Sequence, residues 1–156
     1  MAEYEAVLEQ SIDVAAPPAA VWELVRDVTR MSEWSPQVVS TRLRSGFDEV
    51  AQGAEFTNKN QQGEMEWVTH GEVVRFEPER ELAFRIQENW VVWSFRLDPT
   101  DAGTRLTQRR DTPDGISDLS LELTDGFLGG QEAFTQSLRD GMRQTLERIR
   151  DAAEGA

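Results

Sequence analysis

The 156-residue chain has no cysteine, a single histidine and a single tyrosine. Lack of cysteine removes disulfides, thiolate metal sites and cysteine nucleophiles together. The lone His70 excludes a two-histidine metal site within the chain, and any Ser-His-Asp triad would have to use it. No metal or cofactor is expected. Basic residues are scarce, with 16 Lys and Arg against 29 Asp and Glu, for a formal net charge of −13. Such a surface repels phosphate backbones, which argues against nucleic acid or an anionic membrane as partner. No apolar run approaches the roughly 20 residues that cross a bilayer, so no membrane insertion is expected. The acidic opening Met1-Ala2-Glu3-Tyr4-Glu5 lacks the basic and apolar stretches of a secretory signal, so the expected location is cytoplasmic.

What is present is a periodic, moderately apolar sequence, 38% hydrophobic with seven Phe and five Trp. The length suits one domain over residues 1–156, burying roughly 70% of the surface its unfolded chain exposes. Residues 3–14 alternate as a half-buried strand, with Leu8, Ile12 and Val14 on one parity. Pro17-Pro18 ends it and opens a helix to about Val28, whose Val21, Leu24, Val25 and Val28 follow helical spacing. Met31 to Trp34 read as a second short helix, stopped by Pro36. Strands follow at 37–45, 54–60, 64–76, 80–88, 90–98 and 103–111, punctuated by Gly46, Gly53, Gly63, Pro78, Pro99 and Gly103. Spacings of about ten residues imply antiparallel hairpins. Residues 112–130 read as an acidic loop, with Leu119 to Leu123 a short helix or strand. From Gln131 to Ala153, the stripe Phe134, Leu138, Met142, Leu146, Ile149 and Ala153 predicts one long helix. That helix is the only element large enough to cover the apolar face of the meander. The first strand is placed at the far edge, making seven, and a twisted sheet around one helix leaves room for a ligand.

This order resembles the helix-grip fold of the START-like, or Bet v 1-like (SRPBCC), superfamily. The resemblance rests on Ser11-Ile12-Asp13-Val14-Ala15-Ala16-Pro17-Pro18-Ala19-Ala20-Val21-Trp22, on Met31-Ser32-Glu33-Trp34-Ser35-Pro36, and on the hairpin Trp93 to Pro99 with Gly103 to Thr107. The helix through Leu146-Glu147-Arg148-Ile149 completes it. It implies an α+β fold: a seven-stranded antiparallel sheet wrapped around a long C-terminal helix, with two short helices after the first strand. Within the superfamily, Glu66-Trp67-Val68-Thr69-His70 and the Trp93 hairpin are similar to the polyketide cyclase/dehydrase branch and its bacterial aromatase/cyclases. Those enzymes often carry an arginine where this chain has Gly71, an asparagine where it has Thr145, and a cavity tyrosine, whereas the only tyrosine here is Tyr4.

Strand parity lists the inward side chains. On 64–76 the choice lies between Met65, Trp67, Thr69, Gly71, Val73 and the alternate set with Glu66, His70 and Glu72; the less charged set belongs inside. The inward positions elsewhere are Phe56, Asn58 and Asn60; then Leu82, Phe84, Ile86 and Glu88; then Val91, Trp93, Phe95 and Leu97. On the last strand Leu106 brings Gln108 and Arg110 inside. Aromatics such as Trp67, Trp93, Phe84 and Phe95 are ordinary core or cavity lining. Glu88 and Arg110, if inward, pair with each other or with Gln108 and Asn58 as a polar anchor; at an open rim they are simply solvated. These two are also the weak candidates for catalysis. His70 falls on the convex face beside Glu72. Gly141, inside the long helix, either makes room for a ligand or permits close packing.

The expected function is binding of a small hydrophobic or amphipathic molecule of lipid, polyketide or isoprenoid type, as carrier or sensor, by a monomer or weak homodimer. The alternative is a polyketide cyclase/dehydrase without metal or cofactor. Expected ligand-binding residues are Trp67, Thr69, Phe84, Ile86, Glu88, Trp93, Phe95, Gln108, Arg110, Phe127, Phe134, Leu138 and Met142. Phe127-Leu128-Gly129-Gly130 is the expected lid.

Overall fold

The computed structural model describes residues 6–127 and 130–155, apart from the side chains of Leu123, Asp125, Phe127 and Gln131. β1 (Val7–Val14) is followed by α1 (Pro18–Val25), a 3-10 turn (Val28–Arg30) and α2 (Met31–Trp34). Then come β2 (Val38–Leu43), β3 (Glu55–Gln62), β4 (Met65–Glu77), β5 (Glu81–Ile86), β6 (Val92–Thr100) and β7 (Gly103–Asp111). α3 (Asp118–Phe127) and α4 (Gln131–Gly155) end the chain. All strands join one antiparallel sheet in the order β1-β7-β6-β5-β4-β3-β2, so β1 does take the far edge, beside β7. α4 packs on β1 and α1, giving the helix-grip α+β fold. Among the described residues, no helix is long and apolar enough to cross a membrane.

Several boundaries differ from the sequence reading, those of β3 (Glu55–Gln62) and β6 (Val92–Thr100) by up to two residues. α1 stops at Val25, because Asp27 accepts from Thr29 N at 3.0 Å and sets up the 3-10 turn over Val28. Residues 112–130 are not simply loop: α3 forms, with Ser117 Oγ accepting from Ser120 N at 3.3 Å as its cap. β5 ends at Ile86 instead of Glu88. There the chain turns away: Trp90 N donates to Ile86 O at 2.8 Å, Asn89 Oδ1 accepts from Val91 N, and Trp90 adopts φ 69°.

The end of β5 relocates Glu88. Its carboxylate does not reach the concave face; it accepts from His70 N at 2.7 Å and meets His70 Nδ1 at 2.6 Å. Gln87 N donates to His70 O at 2.8 Å. Glu88 and Gln87 thus satisfy the backbone of β4 where the neighbouring strand has run out. Parity fails at Glu88 because it holds only while the strand lasts. His70 stays on the outer face, with Glu88 rather than Glu72 as its partner. Glu88→Gln is therefore expected to leave affinity for any cavity ligand unchanged and to lower stability by about 1 kcal/mol. Urea unfolding and a binding titration check both; weakened binding would return Glu88 to the cavity.

The main core joins Val14, Val21, Leu97 and Leu106 to Leu146, Ile149 and Ala153 on the C-terminal half of α4. A bulge between Val73 and Arg75 turns Phe76 inward, edge-on to Trp22 at 5.2 Å. A smaller cluster, Leu8, Leu138 and Met142, sits under the N-terminal half, and Trp93 packs against both clusters.

Candidate functional site

A cavity of about 460 Å³ lies between the sheet and the N-terminal half of α4. That is within the range of small-molecule sites, roughly 300–1,000 Å³. Its floor is apolar: Phe84 and Ile86 from β5, Trp93 and Phe95 from β6. Phe84 pairs with Trp93 across the ladder, and Trp93 with Arg110, so one row of the sheet runs from apolar to charged. α4 roofs it with Phe134, Leu138 and Met142, the upper half of the predicted stripe.

Two walls are polar. On the β3–β4 side stand Asn58, Asn60 and Thr69, all buried, beside Trp67. Their hydrogen bonds are internal: Thr41 Oγ1 donates to Asn58 Oδ1 at 2.6 Å, and Asn60 Nδ2 donates to Thr69 Oγ1 at 3.1 Å. On the β7 side stand Gln108 and Arg110, also buried. Arg110 is engaged in an interaction of its own, as burial of a guanidinium requires. At the rim, Gln37 Nε2 donates to Gln62 Oε1 at 2.9 Å, and Gln62 Nε2 reaches Ser137 Oγ at 3.5 Å, joining the β3–β4 turn to the roof.

A surface ion pair joins the 3-10 turn to α2. The Arg30 guanidinium holds the Glu33 carboxyl below its ordinary range through hydrogen bonds of 2.8 and 3.1 Å, and Glu33 in turn raises Arg30. Arg30 also lies over the Trp34 ring at 5.1 Å. Neither residue lines the cavity.

Of the residues expected from parity, the lining includes Trp67, Thr69, Phe84, Ile86, Trp93, Phe95, Gln108 and Arg110, with Phe134, Leu138 and Met142 from the helix. Glu88 is absent from it, for the reason given above. The side chain of Phe127, and Leu128 and Gly129 of the expected lid, lie outside the described residues. The sequence reading passed over the α2–β2 segment Ser35 to Val38 as lining, along with Asn89, Ser137 and Gln144. Asn58 and Asn60 share parity with Phe56, so alternation was the signal for them.

Gly71 lies outside the cavity lining, packed against Phe56, whereas Gly141 is part of the lining. A Cβ on Gly71 would collide with the Phe56 ring, at 2.7 Å from Cε2, 2.9 Å from Cε1 and closer still to Cζ. Phe56 is fully buried and edge-on to Phe84 at 5.3 Å. Gly141 lines the cavity and also faces Pro36, whose Cγ lies 3.5 Å from where a Cβ would stand. That is ordinary contact, so Gly141→Ala is expected to stabilise by about 1 kcal/mol through helix propensity. A thermal melt checks the sign; destabilisation would mean that Pro36 cannot give.

From residue 5 to residue 154 the sequence matches the family described as polyketide cyclase/dehydrase and lipid transport. The chain belongs to this family. Its fold accordingly is that of the START-like, Bet v 1-like superfamily. Several solved structures are similar. The family's Polyketide_cyc-like protein from Corynebacterium glutamicum is 28% identical, with 96% of this chain and 91% of that one covered and a TM-score of 0.61. The Zhui aromatase/cyclase from Streptomyces sp. R1128 is 20% identical, covers 95% and 93%, and has a TM-score of 0.70. The di-domain aromatase/cyclase StfQ of the steffimycin biosynthetic pathway is 14% identical with a TM-score of 0.76. The match takes in 96% of this chain and 51% of StfQ, so the chain spans about half the length of that protein. The two aromatase/cyclases share the fold with this chain. No curated protein matches the chain in sequence.

Proposed function

We propose that the protein binds a small, largely apolar molecule with polar substituents, of lipid, polyketide or isoprenoid type, as a carrier or sensor. It does so as a monomer or weak homodimer in the cytoplasm. The observation that carries this reading is the cavity of about 460 Å³ with its apolar floor and polar walls. Burial of a flat apolar body there supplies affinity at roughly 25 cal/mol per Å² before association costs, and the few polar groups orient it.

Binding is preferred to catalysis because of Gly71. The aromatase/cyclases that the chain resembles often place an arginine at this point, and here the Phe56 ring occupies the space. Thr145, at the place of their asparagine, lines the cavity but brings no amide. Tyr4 lies outside the described residues.

A polyketide cyclase/dehydrase is the second reading, favoured by Arg110 and Gln108 on the cavity wall. A guanidinium stabilises a developing enolate oxygen, which is the charge such chemistry generates.

Native mass spectrometry of protein purified from its own host tests the first reading. A co-purifying small molecule is expected. Protein that is free of ligand and also fails to bind an apolar dye such as 1-anilinonaphthalene-8-sulfonate would refute it. For the second reading, a poly-β-ketone mimic is incubated with and without protein; identical product distributions remove catalysis.

A further inference from the structure

Asn60 is 6% exposed and lines the cavity. Its Nδ2 donates to Thr69 Oγ1 at 3.1 Å and to Trp67 O at 3.4 Å. A backbone carbonyl can only accept, so the second bond fixes which end of the amide is nitrogen. Both Nδ2 protons are then used, and Oδ1 is the open valence. It has no partner among the described residues, yet it is not sealed off. The one unpartnered buried side-chain atom without accessible surface there is Gln108 Oε1. Thr69 Oγ1 accepts from Asn60 and keeps its own proton to give. An acceptor and a donor thus stand side by side on the β3–β4 wall, where Asn60 is paired across the ladder with Trp67. The rest of the polar lining is different. Asn58 Oδ1 already accepts from Thr41 Oγ1. On β7, with Oε1 inaccessible, the Gln108 amide has only its Nε2 donor to offer, and the Arg110 guanidinium has no acceptor atom. Between the two walls, the open acceptor for a ligand's proton is Asn60 Oδ1.

We infer that Asn60 and Thr69 form the polar subsite of the cavity: a ligand hydroxyl donates to Asn60 Oδ1 and accepts from Thr69 Oγ1, with the ligand's apolar body beside Trp67. This rests on the reading of the cavity as a ligand site. It makes Asn60 the residue that selects an alcohol, phenol or enol. An ether or ketone can accept from Thr69 but leaves Oδ1 without a donor, which is costly once the ligand has displaced water. A hydrocarbon leaves both groups unpaired.

The test is a calorimetric titration of the full chain with 2-naphthol, 2-methoxynaphthalene and 2-acetonaphthone. NMR follows the side-chain amide signals of Asn60 and Gln108 and the indole N–H signals of Trp67 and Trp93. Wild-type protein is expected to bind 2-naphthol about tenfold more tightly than the ether or the ketone, the cost of leaving a buried acceptor unpaired. Naphthol is expected to shift the Asn60 amide more than the Gln108 amide. Asn60→Leu is expected to bring naphthol and ether within about twofold, since the proton then has no acceptor. Asn60→Ala repeats the comparison if leucine disturbs folding. The ratio of the two affinities is the readout, because general damage to the wall weakens both compounds alike. A wild-type preference for the ether or the ketone, a naphthol preference that survives in the variants, or larger shifts at Gln108 than at Asn60 overturns the subsite while the cavity stands as a ligand site. If none of the three compounds moves any of these four signals, the ligand-site reading itself falls.

Discussion

Gly71→Ala is expected to lower stability by about 3 kcal/mol, the upper part of the range for overpacking a well-filled core. The added methyl would enter the Phe56 ring, which has nowhere to go: it is fully buried and edge-on to Phe84. An aromatic ring pivots only by displacing its neighbours, unlike the tip of a flexible side chain. Phe56→Leu in the same chain is expected to recover part of the loss, because the smaller branched side chain vacates the collision. The pair forms a double-mutant cycle with strong positive coupling, as expected for residues in direct contact. Gly71→Arg without such compensation should not fold. Urea unfolding measures each. A Gly71→Ala variant within about 0.5 kcal/mol of wild type, the level of an ordinary surface change, would show that Phe56 yields. The Phe56 ring would then not exclude a larger side chain at this position.

Trp93→Ala is expected to act on stability and binding together. Trp93 packs against both hydrophobic clusters, pairs with Phe84 and Arg110 across its two ladders, and lines the cavity. Its removal should cost about 3 kcal/mol, the low end for Trp→Ala because the ring is only partly buried. It should also weaken an aromatic ligand by at least about tenfold, since the ring supplies contact area at the middle of the floor. Trp90→Ala is the control. Trp90 is 38% exposed and does not line the cavity, so ligand affinity should hold. Affinity is measured by calorimetry at a temperature where all variants are folded. Equal losses from Trp93 and Trp90 would mean that the floor does not contact the ligand.

The concave face was readable in the sequence because each strand buries one side. Trp67, Thr69 and Val73 were separated from Glu66, His70 and Glu72 by charge alone, and the burial pattern of β4 follows that division. On β7, Leu106 alone set the parity for Gln108 and Arg110. Alternation stops being informative where strands end. Glu88 sits two residues past Ile86, in a turn held by Asn89 and a left-handed Trp90; Asn89 is a turn signal, but Trp90 is not one. α3 was obscured by its polarity, since its cap, Ser117, reads equally well as loop. The polar β3 wall was visible as parity but not as a cavity wall: amides on an inner face have meaning only once Thr41 and Thr69 are seen to satisfy them. The α2–β2 lining follows from how the chain folds back beside α4, a tertiary relation with no periodic trace.

α4 is one continuous helix with two kinds of support. Its C-terminal half rests on the main core, while its N-terminal half covers a void and a small cluster around Leu8. On the proposed binding function, a bound ligand completes that second support and becomes, in effect, part of the interior. Binding energy then goes into the tethering of a single helical half and hardly touches the remainder, since ligands stabilise the units whose opening would release them. Empty and filled forms would share one backbone fold yet differ in how easily the roof lifts. A protease sensitive to local opening would tell the two apart without touching the ligand.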